Sequence, residues 1–364
     1  MTEGVLLKPL PERDWRTYTQ GVIESERLFD NLLADLVAPF APDPSAPKPR
    51  GRPAIPLNEL VWVAVKKAQT GRSARRNHAN VLDAEQEGLL AHAPRYNAAM
   101  EFLNRDDAEG ILRSLVRASA LPLAGIEQDF AVDSTGFTTG TFGTYKQQRY
   151  GQRKTDWRRD WVRLHACVGV RFCIVTDAKV TATVGAGTGD LSNFLPLVEA
   201  TAENFKVHEV SADAAYSSKA NLHAVKLLGG EALIPFRGGN NTPGGHPHSG
   251  AYQSDPAHPG SAKTWRKAHA YFTLHEEEFL ARYHKRSNVE ATFGAIKQTL
   301  GERLKAKNPQ AQRNEVLCKV IAWNIRCVVR AILETKAEAA SGAGLIQSDR
   351  HPREHGDSEA VGVR

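Results

Sequence analysis

Apolar residues in the first third of the chain recur every three to four positions, which predicts helices. A short helical piece precedes a Pro-rich linker at Ala38–Pro53. Helices resume after it, at Pro56–Gln69, Asn97–Arg105 and Asp107–Ala120. The pattern therefore predicts an all-helical unit that ends near Leu123.

A turn between two of these helices is marked by Gly71, which can end the first helix, and by Ser73, which can cap a second helix carrying Arg75 and Arg76. Such a pair is either a DNA-binding helix-turn-helix or a plain helical hairpin. The hairpin is favoured, because no residue in the pattern is explained by base recognition alone. Arg75 and Arg76 are candidate DNA contacts.

From Gln128 the apolar period changes from 3.6 to 2, which predicts strands. In the segment WVRLHACVGV, residues 161–170, apolar side chains alternate with Trp161, Arg163 and His165, as in a half-buried strand. The segments that follow predict the order β-β-β-α-β-α-β, with helices at 192–204 and Ser218–Leu228. The predicted fold class is α/β, a mixed sheet flanked by helices and preceded by the helical unit.

The last third of the chain contains a predicted insertion, a predicted long helix and a tail. Residues 238–262 are rich in Gly, Pro, Asn and His and predict a loop-rich insertion. A metal site among its histidines is disfavoured, because no Cys or carboxylate completes a ligand set at useful spacing. Glu315–Thr335 predicts a long apolar helix that packs on the sheet, and the tail from Lys336 is expected to be disordered.

Composition sets broad limits on the class of protein. A chain of 364 residues with 41% hydrophobic content can bury a full core. It has no apolar run of membrane-spanning length and no signal-like start, so we expect a cytoplasmic protein without membrane association. The four cysteines fit neither a zinc pattern nor a disulfide framework and are predicted to be small buried side chains. A net charge of +6 favours a polyanionic partner without establishing one.

One more helix is predicted at Ala281–Lys307, and polar side chains mark one of its faces. Tyr283, Arg286, Glu290 and Lys297 fall within a narrow arc at about 100° per residue, beside an apolar stripe. Glu290 is either a functional carboxylate or a solvated charge on a surface helix, and Lys297 either contacts phosphate or pairs with a nearby acid. Further basic residues are predicted to extend the same surface: Arg303, Lys305 and Lys307.

Two aspartates stand where predicted strands end, Asp133 after FAV and Asp213 after VHEVSA. Each alone is explained as a turn former or a helix cap. Together with Glu290 they form a set of carboxylates that can converge on one point, and buried like charges are tolerated when cations neutralise them. Oxygen ligands suit Mg²⁺, and two such ions stabilise the attacking and leaving oxygens of a displacement at phosphorus.

A second basic region, YKQQRYGQRKTDWRRDW, interleaves Lys and Arg with Tyr and Trp. Such a mixture suits a DNA backbone with a base stacked on an aromatic ring. The alternative is a solvated loop with a Trp packed on the edge of the sheet. The candidate DNA contacts here are Trp157, Arg158 and Arg159.

The segments VDSTGF and SADAAYSS, with the pattern Y-x2-R-x3-E-x6-K, resemble the DDE transposases of bacterial insertion sequences, whose catalytic domain is ribonuclease-H-like. The resemblance covers Gln128–Glu334 and extends more weakly to the N-terminal helices. It implies that two ions, Mg²⁺ or Mn²⁺, are held by Asp133, Asp213 and Glu290. It also implies that Arg286 and Lys297 bind phosphates and that Tyr283 positions the DNA strand.

The implied function is a transposase that cleaves element ends and joins the freed 3′ hydroxyl to target DNA. Its implied partners are double-stranded DNA, at the terminal inverted repeats and at the target, and a second copy in a synaptic homodimer in the nucleoid. The implied regions are a helical DNA-binding and dimerisation region at 1–125, a catalytic domain at 126–335 and a tail at 336–364. Two alternatives stay open: a catalytically silent DNA-binding protein and a nuclease of the same fold.

Overall fold

The computed structural model describes residues 15–43, 45, 51, 54–139, 161–182, 187–236 and 258–340. Its N-terminal part is helical, as predicted. The first helix is much longer than the short piece expected, since it spans 23 residues. The helices here are α1 (Trp15–Val37), α2 (Leu57–Thr70), α3 (Ala74–Gln86), α4 (Ala98–Leu103) and α5 (Ala108–Ala120).

The turn between α2 and α3 confirms the predicted signals. Gly71 adopts a φ of 61°, which favours glycine, and its amide donates to the carbonyl of Lys67. The Ser73 side chain accepts a hydrogen bond from the backbone amide of Arg76, which caps α3. This local chemistry fixes a tight helical hairpin.

The sheet has five strands in the order β3-β2-β1-β4-β5. Strands β1 to β3 form an antiparallel meander, and β4 and β5 run parallel to β1. The predicted element order and the ribonuclease-H-like α/β class are therefore confirmed. The elements are β1 (Asp129–Thr138), β2 (Trp161–Gly169), β3 (Val175–Ala182), α6 (Asp190–Ala202), β4 (Glu209–Ala212), α7 (Lys219–Leu227) and β5 (Glu231–Leu233).

Both faces of this sheet are covered, which corrects the prediction of a half-buried β2. His165 lies on the face expected to be polar, and it is fully buried. One hydrophobic cluster joins the N-terminal helices to apolar residues of all three meander strands, including Ala131, Leu164 and Val180. A second cluster covers the other face with residues of α6 and α7.

The C-terminal part differs most from expectation. The single helix predicted at Ala281–Lys307 is wrong: the chain forms one helix to Tyr283, a 3-10 turn at His284–Arg286 and a second helix that ends at Leu300. The basic residues beyond Gly301 therefore do not extend a helical surface. The elements are α8 (Ser261–Leu274), α9 (Glu276–Tyr283), α10 (Ser287–Leu300) and α11 (Pro309–Ala340).

Helix α11 is longer at both ends than the predicted Glu315–Thr335, and it contacts β3, as expected. The described residues continue as helix beyond Lys336, to Ala340, and the rest of the predicted tail lies outside them. Helix α8 was not predicted and begins inside the expected insertion, of which residues 238–257 lie outside the described part. Three of the four cysteines are buried as predicted, and Cys173 is half-buried.

Candidate active site

Asp133 and Asp213 lie side by side where β1 and β4 stop pairing. The last paired residues of these parallel strands are Val132 and Ala212, so each aspartate occupies the next position, on the same face. The carboxylate of Asp133 accepts the amide of Ser134 at 2.8 Å. Asp213 precedes a 3-10 turn without capping it through its side chain, so a capping role does not explain its carboxylate.

Arg286 brings the third predicted carboxylate to this point. Its guanidinium donates to Asp133 at 3.1 Å and to Glu290 at 2.8 Å. The 3-10 turn that carries Arg286 contacts both β1 and β4, and Glu290 follows one helical turn later in α10. The side chain of Glu290 is 60% exposed and that of Asp133 is 18% exposed, so Glu290 lies at the solvent side of the group.

The charges of these carboxylates act on one another and on Tyr283. Burial raises the pKa of Asp133, and the charges of Glu290 and Asp213 raise it further, against the Ser134 amide and Arg286. Burial also raises the pKa of Tyr283, with contributions from the same three carboxylates. The donors are all carboxylate oxygens that repel one another, a set that fits Mg²⁺ or Mn²⁺.

A family model described as a transposase DDE domain matches residues 125–325, more than half of the chain. The chain belongs to the DDE transposase family. A comparison with curated proteins gives no match. The family implies an enzyme of DNA transposition that binds DNA. Among the described residues of the transposase, no helix combines the length and the apolar character needed to cross a membrane.

Lys297, the last residue of the Y-x2-R-x3-E-x6-K pattern, pairs with protein groups. Its ammonium lies 3.6 Å from a carboxylate oxygen of Glu302 and 5.7 Å from the centre of the Phe137 ring. The sequence left Lys297 either as a phosphate contact or as the partner of a nearby acid, and the structure contains the pair with the acid. Phe137 lies four residues after Asp133 on β1, so Lys297 stands further along the same strand.

The remaining predicted DNA contacts lie apart from the carboxylates or outside the description. Arg75 and Arg76 are exposed on α3, and the Arg75 guanidinium lies 5.3 Å from the centre of the Tyr96 ring. Trp157, Arg158 and Arg159 fall in residues 140–160, outside the described part of the transposase.

A polar network next to Asp133 was not predicted. The hydroxyl of Ser134 donates to Asp190 at 2.8 Å, and Asp190 also lies 3.4 Å from Arg163 and 3.5 Å from His165. Burial lowers the pKa of His165 to about 4, so the ring is neutral at pH 7. These contacts hold the backbone beside Asp133 in place.

A second acidic group lies at the other end of the β1/β4 pair. Among the described residues, Asp129, His208 and Glu209 are the group whose ligand atoms all lie within 4.8 Å of one another. Lys285 pairs with Asp129 at 3.0 Å and Glu209 at 3.6 Å, and Arg282 pairs with Glu209 at 3.0 Å. Because lysine and arginine already neutralise these acids, the group is explained as a structural ion-pair network.

Proposed function

We propose that the chain is the transposase of a bacterial insertion sequence, which cleaves the ends of its element and joins the freed 3′ hydroxyl to target DNA. The observation that carries this proposal is the convergence of Asp133, Asp213 and Glu290 on one point at the β1/β4 pair. Water is the first nucleophile and the DNA 3′ hydroxyl is the second, so no covalent protein intermediate is required.

The three carboxylates would hold two divalent ions, Mg²⁺ or Mn²⁺, which when bound stabilise the attacking and leaving oxygens at phosphorus. Arg286 supports a role with phosphate, because its Nε has no acceptor among the described residues. Tyr283 is packed on Phe279, with ring centres 5.7 Å apart, which fixes its ring beside the carboxylates. We assign Tyr283 to positioning the DNA strand.

The partners follow from the reaction. Two element ends must be held together during joining, so we propose a homodimer that binds the terminal inverted repeats and the target duplex in the nucleoid. The exposed arginines of α3, Arg75 and Arg76, are proposed to contact the DNA backbone, together with the basic segment that carries Trp157, Arg158 and Arg159. Lys297 is proposed to exchange its half-exposed partner Glu302 for a phosphate when DNA binds.

Removal of one carboxylate tests the catalytic assignment. Asp133→Asn, Asp213→Asn and Glu290→Gln are each expected to lower Mg²⁺-dependent cleavage by about 10²–10³-fold or more. Each substitution removes a proposed metal ligand, and the metal ion offsets the charge on the reacting phosphate. DNA affinity should stay within about twofold, since the phosphate contacts come from other residues. The assay incubates purified protein with labelled duplex from the flank of the coding region and a supercoiled target plasmid.

Asp129→Asn is the matched control, because it makes the same chemical change on the same strand within the ion-pair network. It is expected to keep cleavage and joining. Full cleavage by any of the three variants removes that residue from the site. A wild-type protein that binds DNA without cutting it supports a silent binding protein, and one that cuts without joining supports a nuclease.

A further inference from the structure

A cavity of about 500 Å³ opens between the end of α2, the end of α10 and the first half of α11. Cationic side chains outnumber acidic ones on its walls. The cations are Lys67, Arg303, Lys305 and Lys319, and the acids are Glu302 and Glu315. The composition favours an anionic ligand.

Lys67 is the most informative residue of this cavity. It is only 5% exposed, and among the described residues its ammonium has no hydrogen bond or ion pair. Its neighbour Lys66 is equally buried, and Lys66 pairs with Asp30 at 2.6 Å. Because protein encloses most of this side chain and Lys67 lines the cavity, an anion that enters the cavity can pair with its ammonium.

The two acids of the cavity do not supply that anion. The carboxylate of Glu315 accepts the backbone amides of Lys305 and Ala306, at 3.0 and 2.8 Å. Glu302 pairs with Lys297, outside the group of four cations. Both carboxylates are therefore already engaged with other groups.

The cations that line the cavity repel one another. Lys319 is 2% exposed, and its ammonium donates to the carbonyls of Gly301 and Arg303. Burial lowers the pKa of Lys319 to about 8, and the charges of Lys67 and Lys305 lower it further, against Glu315. Burial and the charge of Lys67 also lower the pKa of Lys305. An entering anion would relieve this repulsion.

The cavity lies beside the end of β1, the strand that carries Asp133. Arg303 forms a parallel bridge with Thr138, the last residue of β1, and Lys319 lies 5.6 Å from the centre of the Phe137 ring. Thr138 is five residues beyond Asp133 on the same strand, which is about 16 Å at the usual rise. That distance corresponds to about five base pairs of B-form DNA.

We propose that this cavity binds a backbone phosphate of the DNA substrate, with Lys67 as the principal cation and Lys305 and Arg303 beside it. The proposal rests on the proposed function, since it places part of the same DNA. A phosphodiester suits the site because it carries one negative charge and two acceptor oxygens that several amine and guanidinium donors can share.

Lys67→Met tests the proposal with two independent readouts. Affinity for duplex DNA, measured by fluorescence anisotropy in EDTA, is expected to fall about five- to tenfold. The slope of log affinity against log salt should become shallower by about 1, because one phosphate contact is lost. The midpoint of thermal unfolding should stay equal or rise, since the substitution removes no hydrogen bond or ion pair of the described residues and lowers the repulsion among the cations. A lysine with a merely structural role would instead lower that midpoint.

Two further variants serve as controls for Lys67→Met. Lys206→Met makes the same charge change at an exposed residue in the loop before β4, and it should leave affinity and salt slope nearly unchanged. Lys67→Arg should restore the wild-type salt slope, because it returns the cation. Wild-type salt slope in Lys67→Met, together with wild-type cleavage, would overturn the phosphate site and leave the proposed function intact.

Two other outcomes also decide the matter. If the wild-type protein neither binds nor cuts DNA, the proposed function fails and the phosphate site fails with it. A thermal unfolding experiment with added inorganic phosphate tests whether the cavity binds small free anions instead. If phosphate raises the unfolding midpoint of the wild type but not of Lys67→Met, while DNA affinity is the same for both, the cavity takes small free anions and its assignment to DNA is wrong.

Discussion

His165 is a buried histidine whose neutral ring is part of the folded structure. Its Nε2 lies 3.1 Å from the Thr181 hydroxyl, and the charged groups that act on it are Asp190, Arg163 and Lys179. Because burial outweighs the attraction of Asp190, the pKa falls from 6.5 to about 4. The ring therefore stays neutral over a range in which an unfolded chain takes up a proton.

This shift predicts a loss of stability in mild acid. Between pH 6.5 and about 4 the unfolded state binds a proton at His165 that the folded state does not, so the free energy of unfolding falls as pH falls. The expected loss from this residue is about 3 kcal/mol at most. Urea unfolding at several pH values measures it. His165→Gln should show a flatter profile over that range, and an unchanged profile would contradict the buried neutral ring.

At the scale of elements, the amide side chain of Asn324 links α11 to the sheet by hydrogen bonds. Asn324 accepts the backbone amide of Val175 at 2.9 Å and donates to the carbonyl of the same residue at 2.7 Å. It also donates to the carbonyl of Val116 and the hydroxyl of Ser119 in α5. One fully buried residue therefore joins α11, α5 and the edge strand β3.

Asn324→Ala is expected to lower the free energy of unfolding by about 2–4 kcal/mol, because it leaves the amide and carbonyl of Val175 buried without partners. Chemical denaturation measures the change. Asn288→Ala is the comparison: that side chain makes a single described hydrogen bond, to the carbonyl of Val170, and should cost about 1 kcal/mol. Equal effects of the two substitutions would count against the fastening role of Asn324.

The sequence predicted a structural element correctly where residues within a few positions of one another determine it. Gly71 and Ser73 placed the α2–α3 turn, because a left-handed glycine and a serine cap work within a few residues. The turn at His284–Arg286 was not predicted, because a 3-10 turn has nearly the same side-chain spacing as a helix. Helix α8 was missed because its start adjoins the Gly-rich and Pro-rich insertion.

The sequence predicted the carboxylates of the candidate site but not the side chains that hold them. Asp133 and Asp213 were found as residues that follow apolar strands, and Glu290 was found by its spacing. The sequence did not disclose that Arg286 binds two of these carboxylates or that Asp190 supports Ser134. Those contacts join residues as far as 153 positions apart, and only the tertiary fold determines them.

At the scale of the whole molecule, the N-terminal helices and the catalytic sheet share a core. The predicted boundary near residue 125 falls between α5 and β1, yet one hydrophobic cluster contains Trp62 of α2, Leu112 of α5, Leu164 of β2 and Ile321 of α11. Helix α11 packs against both α5 and α2. The helical region therefore covers one face of the sheet.

This shared core predicts one cooperative unfolding transition for the full chain. Differential scanning calorimetry should give a van't Hoff enthalpy equal to the calorimetric enthalpy, because neither region can lose the common cluster alone. A fragment of residues 126–340 should lack cooperative unfolding, since the sheet face that binds α5 and the face of α11 that binds α2 would be exposed. Two separate transitions, or a stably folded fragment, would show that the regions are independent.

The bridge from Arg286 to Asp133 and Glu290 has a consequence for what the fold depends on. In a structural metal site, the ion supplies folding free energy, and a chelator unfolds the chain. Here a cation on the chain itself already offsets part of the repulsion between two of the carboxylates. The folded chain therefore contains a counterion of its own for two of these acids. Under the proposed function, a metal ion would be needed for cleavage, whereas this bridge forms from the chain's own side chains.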